Sequence, residues 1–383
     1  MLWDLPGPSK WVQAVAAERG QGLSGIVLWP GGLHEIDVSR EFSARCPRGV
    51  DHFDVRPCVS LSQSKRIEVA VVRLASELCE QFGLDSDADV GELCRHPDLG
   101  RTSFLIDARD VDIHEALAWA HFAAAFAAAG REMPYTTRPT FWAIICPSMD
   151  TYLPASDVSF AHRWWWGVLG PLDAALTASE HGLSGDGAAI AAEFGRWDVE
   201  LVSEMAHWDG SVAGIIEVCK PVNDLENRVL PAPAEAGFRP PVELMPWWSD
   251  GLVQAWDGYV SIHVALEAAI RSDAFIRRIW VAQVGRVLPF IELERARLAD
   301  WFAAEVATAG GPLGEWRDQD IAALEIGPLW ACVAAHRRVR LARSRLELIR
   351  DLRDARNSLA HRTPLNTATI QALRMRALED RAQ

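Results

Sequence analysis

No stretch of this chain approaches the roughly 18–20 uninterrupted apolar residues of a membrane-spanning helix, so a helical membrane protein is not expected. The Met1 end lacks a basic stretch followed by an apolar core, which removes the expectation of a secretory leader and makes the cytoplasm the expected compartment. Cysteine is sparse and scattered. The seven residues (Cys46, Cys58, Cys79, Cys94, Cys146, Cys219 and Cys332) form no C-x-x-C pair. Reduced thiols are therefore expected, with no disulfide framework and no metal site. Lysine is rarer still, at three of 38 cations, and the stretch between Lys10 and Lys65 holds none. What is present is ordinary for a folded protein: 49% hydrophobic and 23% charged residues exclude a disordered chain, and 383 residues suffice for two or three domains.

The net charge of −14 is unevenly spread. Residues 1–257 carry 19 cations against 37 acids, or −18, whereas 258–383 carry 19 against 15, or +4, and every one of those cations is arginine. Nine arginines and three acids fall within 335–362 alone. This asymmetry predicts two bodies with different partners: a protein for the acidic N-terminal body, and a polyanion such as RNA for the C-terminal one.

The N-terminal body alternates strand and helix patterns. Gly25–Trp29, Ser103–Asp107 and Phe141–Cys146 are short apolar runs of strand type, with a weaker one at 53–59. Helical patterns lie between them, at Ser9–Arg19, 63–83 and the alanine-rich 114–129. Such alternation predicts a mostly parallel sheet with helices on both faces. His162 to Gly167 opens a segment expected to be helical to 179, whose three tryptophans (Trp164, Trp165, Trp166) span about 200° of a helix and cannot share one surface. Core packing is their first reading and an aromatic recognition face their second.

An apolar strand ending in Asp107 has the form of a Walker B strand, whose acid orients a magnesium-bound water. The expected phosphate loop after the first strand reads Leu28-Trp-Pro-Gly-Gly-Leu-His34, with no G-x-x-x-x-G-K-[ST] string. Without that lysine and the hydroxyl after it, phosphate charge and magnesium are not held, so nucleotide hydrolysis is not expected and Asp107 is read as a loop-capping acid. Over residues 20–225 the strand order, the Asp107 strand and the Arg163–Gly170 segment resemble an inactive member of the STAND branch of P-loop ATPases, the iSTAND type of bacterial conflict systems. The resemblance implies a sensor or interaction platform.

Pro231, Pro233, Pro240, Pro241 and Pro246 crowd residues 229–257, which forbids a continuous helix and predicts a linker or draped loop. Helical periodicity then runs through 258–271, 273–308 with a kink at Pro289, 317–361 with a break near Gly327-Pro328, and 366–380. The expected organisation is thus an α/β domain over 1–228, a parallel sheet of P-loop type lacking Walker A with a helical appendage, then the linker over 229–257. An all-α helical bundle follows over 258–383.

The chemistry-bearing string is Leu352-Arg-Asp-Ala-Arg356-Asn357-Ser-Leu-Ala-His361, closed by Pro364. This R-N-x-x-x-H pattern, the helical surroundings and Leu324–Leu329 ahead of the penultimate helix resemble the HEPN family (higher eukaryotes and prokaryotes nucleotide-binding). The types suit metal-free RNA cleavage. Imidazole titrates near neutrality and can take a proton from a 2′-hydroxyl or give one to a leaving oxygen. Guanidinium stays charged and grips phosphate through two N–H groups. Arg356 and His361 are the expected catalytic residues, with Asn357 orienting imidazole or phosphate, and Arg343, Arg350 and Arg353 the expected RNA contacts. No cofactor is expected. Positions five apart on a helix are about 140° apart, so one helix does not make a compact site. The resemblance implies a homodimer through the bundle, with two motifs facing one cleft. It also implies an endoribonuclease effector of a defence or toxin system. The alternative is a non-catalytic HEPN scaffold that binds RNA or proteins.

Overall fold

The computed structural model describes residues 2–33, 36–55, 66–83, 89–147, 153–208, 219, 234–271, 273–311, 316, 319–336, 339 and 342–382. Two compact units emerge: Met1–Asp173 with Asn227–His263, and Ala174–Glu226 with Val264–Gln383.

The first unit is α/β. It runs α1 (Pro6–Gly20), β1 (Ser24–Leu28), α2 (Val38–Ala44), β2 (Asp51–Val55), α3 (Ile67–Gln81), α4 (Val90–Arg95), β3 (Thr102–Asp107), α5 (Ile113–Ala129), β4 (Thr140–Ile145) and β5 (Phe160–Trp164). All five strands are parallel, in the order β2-β3-β4-β1-β5. The register sets Phe53, Phe104 and Phe141 side by side. Side chains alternate along a strand, so these three share one sheet face. There they meet Phe82, Trp119, Phe122 and Phe126 from the helices. One residue earlier on each strand, His52, Ser103 and Thr140 line the opposite face, where Arg19 of α1 reaches Ser103 and His52. Trp3, Trp11, Trp29 and Trp165 form a second aromatic cluster.

Gly25 on β1 marks the tightest packing in this sheet. A Cβ there would stand 2.5 Å from the Ala161 carbonyl oxygen and 2.8 Å from the Trp142 ring. Backbone cannot yield cheaply, so Gly25→Ala is expected to destabilise the unit by about 1–3 kcal/mol. A urea denaturation curve checks this: the midpoint should fall while the slope holds.

Three further helices come next in the chain, α6 (Pro171–Glu180), α7 (Gly185–Gly195) and α8 (Val199–Glu204). The expected helix over 160–179 is corrected. Residues 160–164 pair with β1 as the edge strand β5, and the helix starts only at Pro171. The tryptophan triplet therefore ends a strand. Trp165 and Trp166 are buried and Trp164 is half-buried, which answers to core packing.

Residues 234–257 are also more ordered than a linker. They hold α9 (Met245–Ser249) and strand β6 (Val253–Trp256), paired with β7 (Tyr259–Ile262) in an antiparallel hairpin. Trp247 and Trp248 are buried, and the Trp248 indole donates to the Trp165 carbonyl. This segment belongs to the α/β unit, and Ala174–Glu226 belongs with the C-terminal helices, so the division differs from the expected 1–228 and 258–383. Pro231 and Pro233 lie outside the described residues.

The second unit is helical. It contains α7 and α8 with α10 (Val264–Ile270), α11 (Ala274–Thr308), α12 (Ile326–Ala335), α13 (Arg343–Ala360) and α14 (Thr367–Arg381). The helical reading of 258–271 gives way to β7 and then α10. Pro289 sits within the 35-residue α11. Gly327 and Pro328 open α12, where the missing N–H costs nothing, and α13 is a separate helix that starts at Arg343. His336, expected on a solvated basic face, is instead buried and stands edge-on to Phe302. Arg337 and Arg338 lie outside the described residues. Among the described residues, no helix is long and apolar enough to cross a membrane, and the six described cysteines are free.

Candidate functional site

Helix α13 is amphipathic by construction. Leu348, Ile349, Leu352, Ala355 and Leu359 are buried. At about 100° per residue the opposite side carries Arg343, Arg350, Asn357 and, just past the last turn, His361. Their exposure agrees: the Arg343 side chain keeps 92% and Arg350 50% of its accessible surface, and Asn357 and His361 are exposed. Arg353 lies to one side, 28% accessible, its guanidinium 5.2 Å from the Trp330 ring centre. Arg356 flanks the buried stripe, away from His361.

The end of α13 is built with care. The Thr363 N–H donates to the Ser358 carbonyl at 2.9 Å and the Arg362 N–H to the Leu359 carbonyl at 3.1 Å. These are the paired bonds of a Schellman turn, with His361 at the cap and Arg362 in the left-handed region at φ 58°. Glycine usually fills that position because a Cβ is strained there. From α11, the Trp280 indole donates to the Leu359 carbonyl at 2.7 Å. Gln283, 1% exposed, holds Leu365 by both its N–H and its C=O at 2.8 Å. The turn that carries His361 is thereby fixed on both sides. Arg362→Gly is expected to raise stability by about 1 kcal/mol as the strain is released, read as a higher urea midpoint.

The structure does not bring Arg356, Asn357 and His361 together as side chains. No hydrogen bond links the three side chains among the described residues; the His361 N–H donates to the Asn357 carbonyl at 3.0 Å through the backbone alone. Each cation of the exposed face has an acid beside it: Arg343 with Glu347, Arg350 with Asp351, and Arg353 with Asp354. Arg356 meets Glu325 at 3.3 Å, and Glu325 is 76% accessible. Pairs this exposed are worth about 0–1 kcal/mol, so a phosphate can displace the acids at little cost. Glu325, Trp280 and Gln283 carry no signal in the R-N-x-x-x-H string. They reach it across 31, 79 and 82 residues of chain.

In the α/β unit, the carboxyl end of the sheet holds a second candidate centred on Asp107. Both of its oxygens are taken by Arg109, whose Nε and Nη2 donate at 2.9 and 2.8 Å, and Ser39 adds a third bond at 3.1 Å. Burial opposes the Arg109 charge, but the Asp107 hydrogen bonds outweigh it and raise its pKa. Arg109 also donates to the Ile36 carbonyl and lies 5.9 Å from the centre of the Trp29 ring. Trp29, fully buried, fills the start of the loop after β1, and Asp37 caps α2 with its own carboxylate by accepting from Arg40 N–H. Nearby, burial pushes the Cys146 thiol up to about 11 against the pull of Arg109. Among the described residues, no group of three or more histidine, cysteine or acidic side chains is placed to hold a metal ion.

A scan against protein-family models found no match to this chain, and a search of curated proteins found none either.

Proposed function

We propose that the chain is a metal-independent endoribonuclease of HEPN type. In this reading the C-terminal helices form a HEPN-like bundle and carry the chemistry, while the α/β unit is an inactive P-loop-like platform. The observation that carries the reading is the R-N-x-x-x-H string at the end of an exposed, arginine-bearing helix, with His361 presented on a turn that α11 holds in place. Arg343, Arg350 and Asn357 lead along the same face toward His361, over a helix of about 27 Å. That length suits contact with several phosphates of one strand.

The chemistry follows from the groups. The 2′-hydroxyl of the target ribose loses its proton to an imidazole and attacks the adjacent phosphorus. The bond from phosphorus to the 5′-oxygen breaks, and a protonated imidazole returns a proton to that oxygen. The products are a 2′,3′-cyclic phosphate and a 5′-hydroxyl. Arg356 neutralises the added phosphoryl charge in the transition state. Because Arg356 and His361 face about 140° apart on one helix, a complete site draws each from a different copy. The functional species is then a homodimer through the C-terminal helices.

What supports the platform reading is the strand order β2-β3-β4-β1-β5, with an acid at the end of β3. The loop after β1 lacks the Walker A lysine and hydroxyl, and Arg109 engages both oxygens of Asp107, so ATP hydrolysis at background level is expected in a steady-state assay. Activity that disappears in Asp107→Ala would contradict this. A non-catalytic scaffold is the second reading, favoured by the acid beside every arginine of the face. Purified protein incubated with total tRNA in EDTA separates the two: cleavage is expected, and intact RNA at stoichiometric protein favours the scaffold.

A further inference from the structure

The amino ends of β2, β3 and β4 lie at the opposite edge of the sheet from Asp107, and they frame a small, half-open recess. Three arginines line it, Arg19, Arg101 and Arg138, together with Thr102, Thr140 and Tyr135, and no carboxylate is among the lining residues.

Arg19 is 1% exposed, and no carboxylate touches it among the described residues. Its Nε donates to Ser103 Oγ at 2.8 Å, Nη1 to the Phe42 carbonyl at 2.8 Å, and Nη2 meets His52 Nδ1 at 2.6 Å. The nearest acid, Asp54, lies beyond the imidazole, on His52 Nε2 at 2.8 Å. The neutral ring thus accepts from Arg19 and donates to Asp54. Although Ser43 Oγ also lies 2.7 Å from Nε2, an imidazole whose other nitrogen faces a guanidinium cannot act as that serine's base. A buried charge without a touching counter-charge is costly. The carboxyl end of α1 offsets part of that cost for Arg19.

That offset does not extend to the other two. Arg101 sits at the turn into β3 with φ 61°, its side chain exposed and making no hydrogen bond among the described residues. Arg138 gives Nη2 to the Arg131 and Met133 carbonyls, but its buried Nε has no partner. Like charges gathered without an acid repel, and the buried Nε of Arg138 lacks an acceptor. A tetrahedral oxyanion answers both deficits, since guanidinium pairs with such groups through two parallel hydrogen bonds.

We infer that this recess is a binding site for a phosphoryl group, either inorganic phosphate or the terminal phosphate of a nucleotide. The inference stands apart from the ribonuclease reading, because it uses neither α13 nor Asp107. It gives the α/β unit a ligand at the end of the sheet away from Asp107.

Calorimetric titration and thermal unfolding of the full chain test this, with sodium phosphate or adenosine 5′-monophosphate added at constant ionic strength. Saturable binding is expected with Kd near or below about 1 mM, together with a rise in Tm that saturates over the same range. Arg101→Gln and Arg138→Gln are each expected to weaken binding about tenfold, the loss of one charge-assisted pair, while Arg40→Gln on α2 leaves it unchanged. Tighter binding of the monophosphate than of phosphate assigns the site to a nucleotide, and the reverse assigns it to the free anion. Wild-type protein that shows no saturable binding of either compound up to about 10 mM overturns the inference. Binding that survives both arginine substitutions overturns it too.

Discussion

Replacing His361 with alanine is expected to lower RNA cleavage by about 10²–10⁴-fold, because a positioned general acid or base contributes on that scale. Arg356→Ala should cost about 10²–10³-fold, comparable to removing one preorganised donor from an oxyanion site. Single-turnover assays at saturating protein separate these losses from binding. Asn357→Ala should fall between wild type and the two severe variants, since an orienting group leaves the proton transfer intact. Arg343→Ala and Arg350→Ala should weaken RNA binding and reduce its salt dependence by about one phosphate contact each, with the single-turnover rate unchanged. Wild-type cleavage in folded Arg356→Ala and His361→Ala proteins would remove α13 from the chemistry.

The second large effect is on stability. Glu267, 7% accessible on α10, accepts from Arg278 Nη2 at 2.8 Å and from Arg277 Nη1 at 2.7 Å, and the Arg278 side chain is only 5% accessible. Glu267→Ala removes the carboxylate that Arg278 and Arg277 share, and breaking so buried a pair should cost about 3–5 kcal/mol. For a unit of this size each kcal/mol lowers Tm by about 2–4 °C. Burial alone would raise the Glu267 pKa, but the bonds and charges of Arg278 and Arg277 prevail and hold it below the usual glutamate value. Its contribution is therefore present above the unfolded glutamate pKa of about 4.3 and is lost as pH falls through the lower folded value. Wild-type stability should drop across that acid window, and Glu267→Gln should flatten the drop. A Glu267→Ala protein with unchanged Tm would show that the ion pair is not what holds α10 to α11.

The sheet could be read from sequence where strands are buried on both faces. β1, β3 and β4 each contain a short apolar run bounded by polar residues or turns, and each is buried along nearly its whole length. β5 escaped because it is an edge strand, Phe-Ala-His-Arg-Trp, with only Phe160 fully buried, so it shows no apolar run and its neighbouring tryptophans suggested a helix. The prolines of 240–246 misled for a different reason. Pro241 precedes a short 3-10 turn and Pro246 sits in the first turn of α9, both places that tolerate a missing N–H, while Trp247 and Trp248 bury themselves beyond.

The candidate site divides the same way. Arg356, Asn357 and His361 lie within six residues, so a local pattern was enough to pick them out. The groups that shape their setting were invisible, because hydrogen bonds from Trp280 and Gln283 to the end of α13 join residues remote in sequence. Arg109 was overlooked next to Asp107 although only two positions away, since nothing in a strand-end acid announces that its own chain supplies the counter-charge.

The most direct measurement is the chemical identity of the ends that the full-length protein leaves on RNA in the presence of EDTA. A 2′,3′-cyclic phosphate on the upstream fragment and a 5′-hydroxyl on the downstream one are expected, both disappearing in His361→Ala. A 3′-hydroxyl facing a 5′-phosphate, or RNA left whole by a folded dimer, would contradict attack by the 2′-hydroxyl at this helix end.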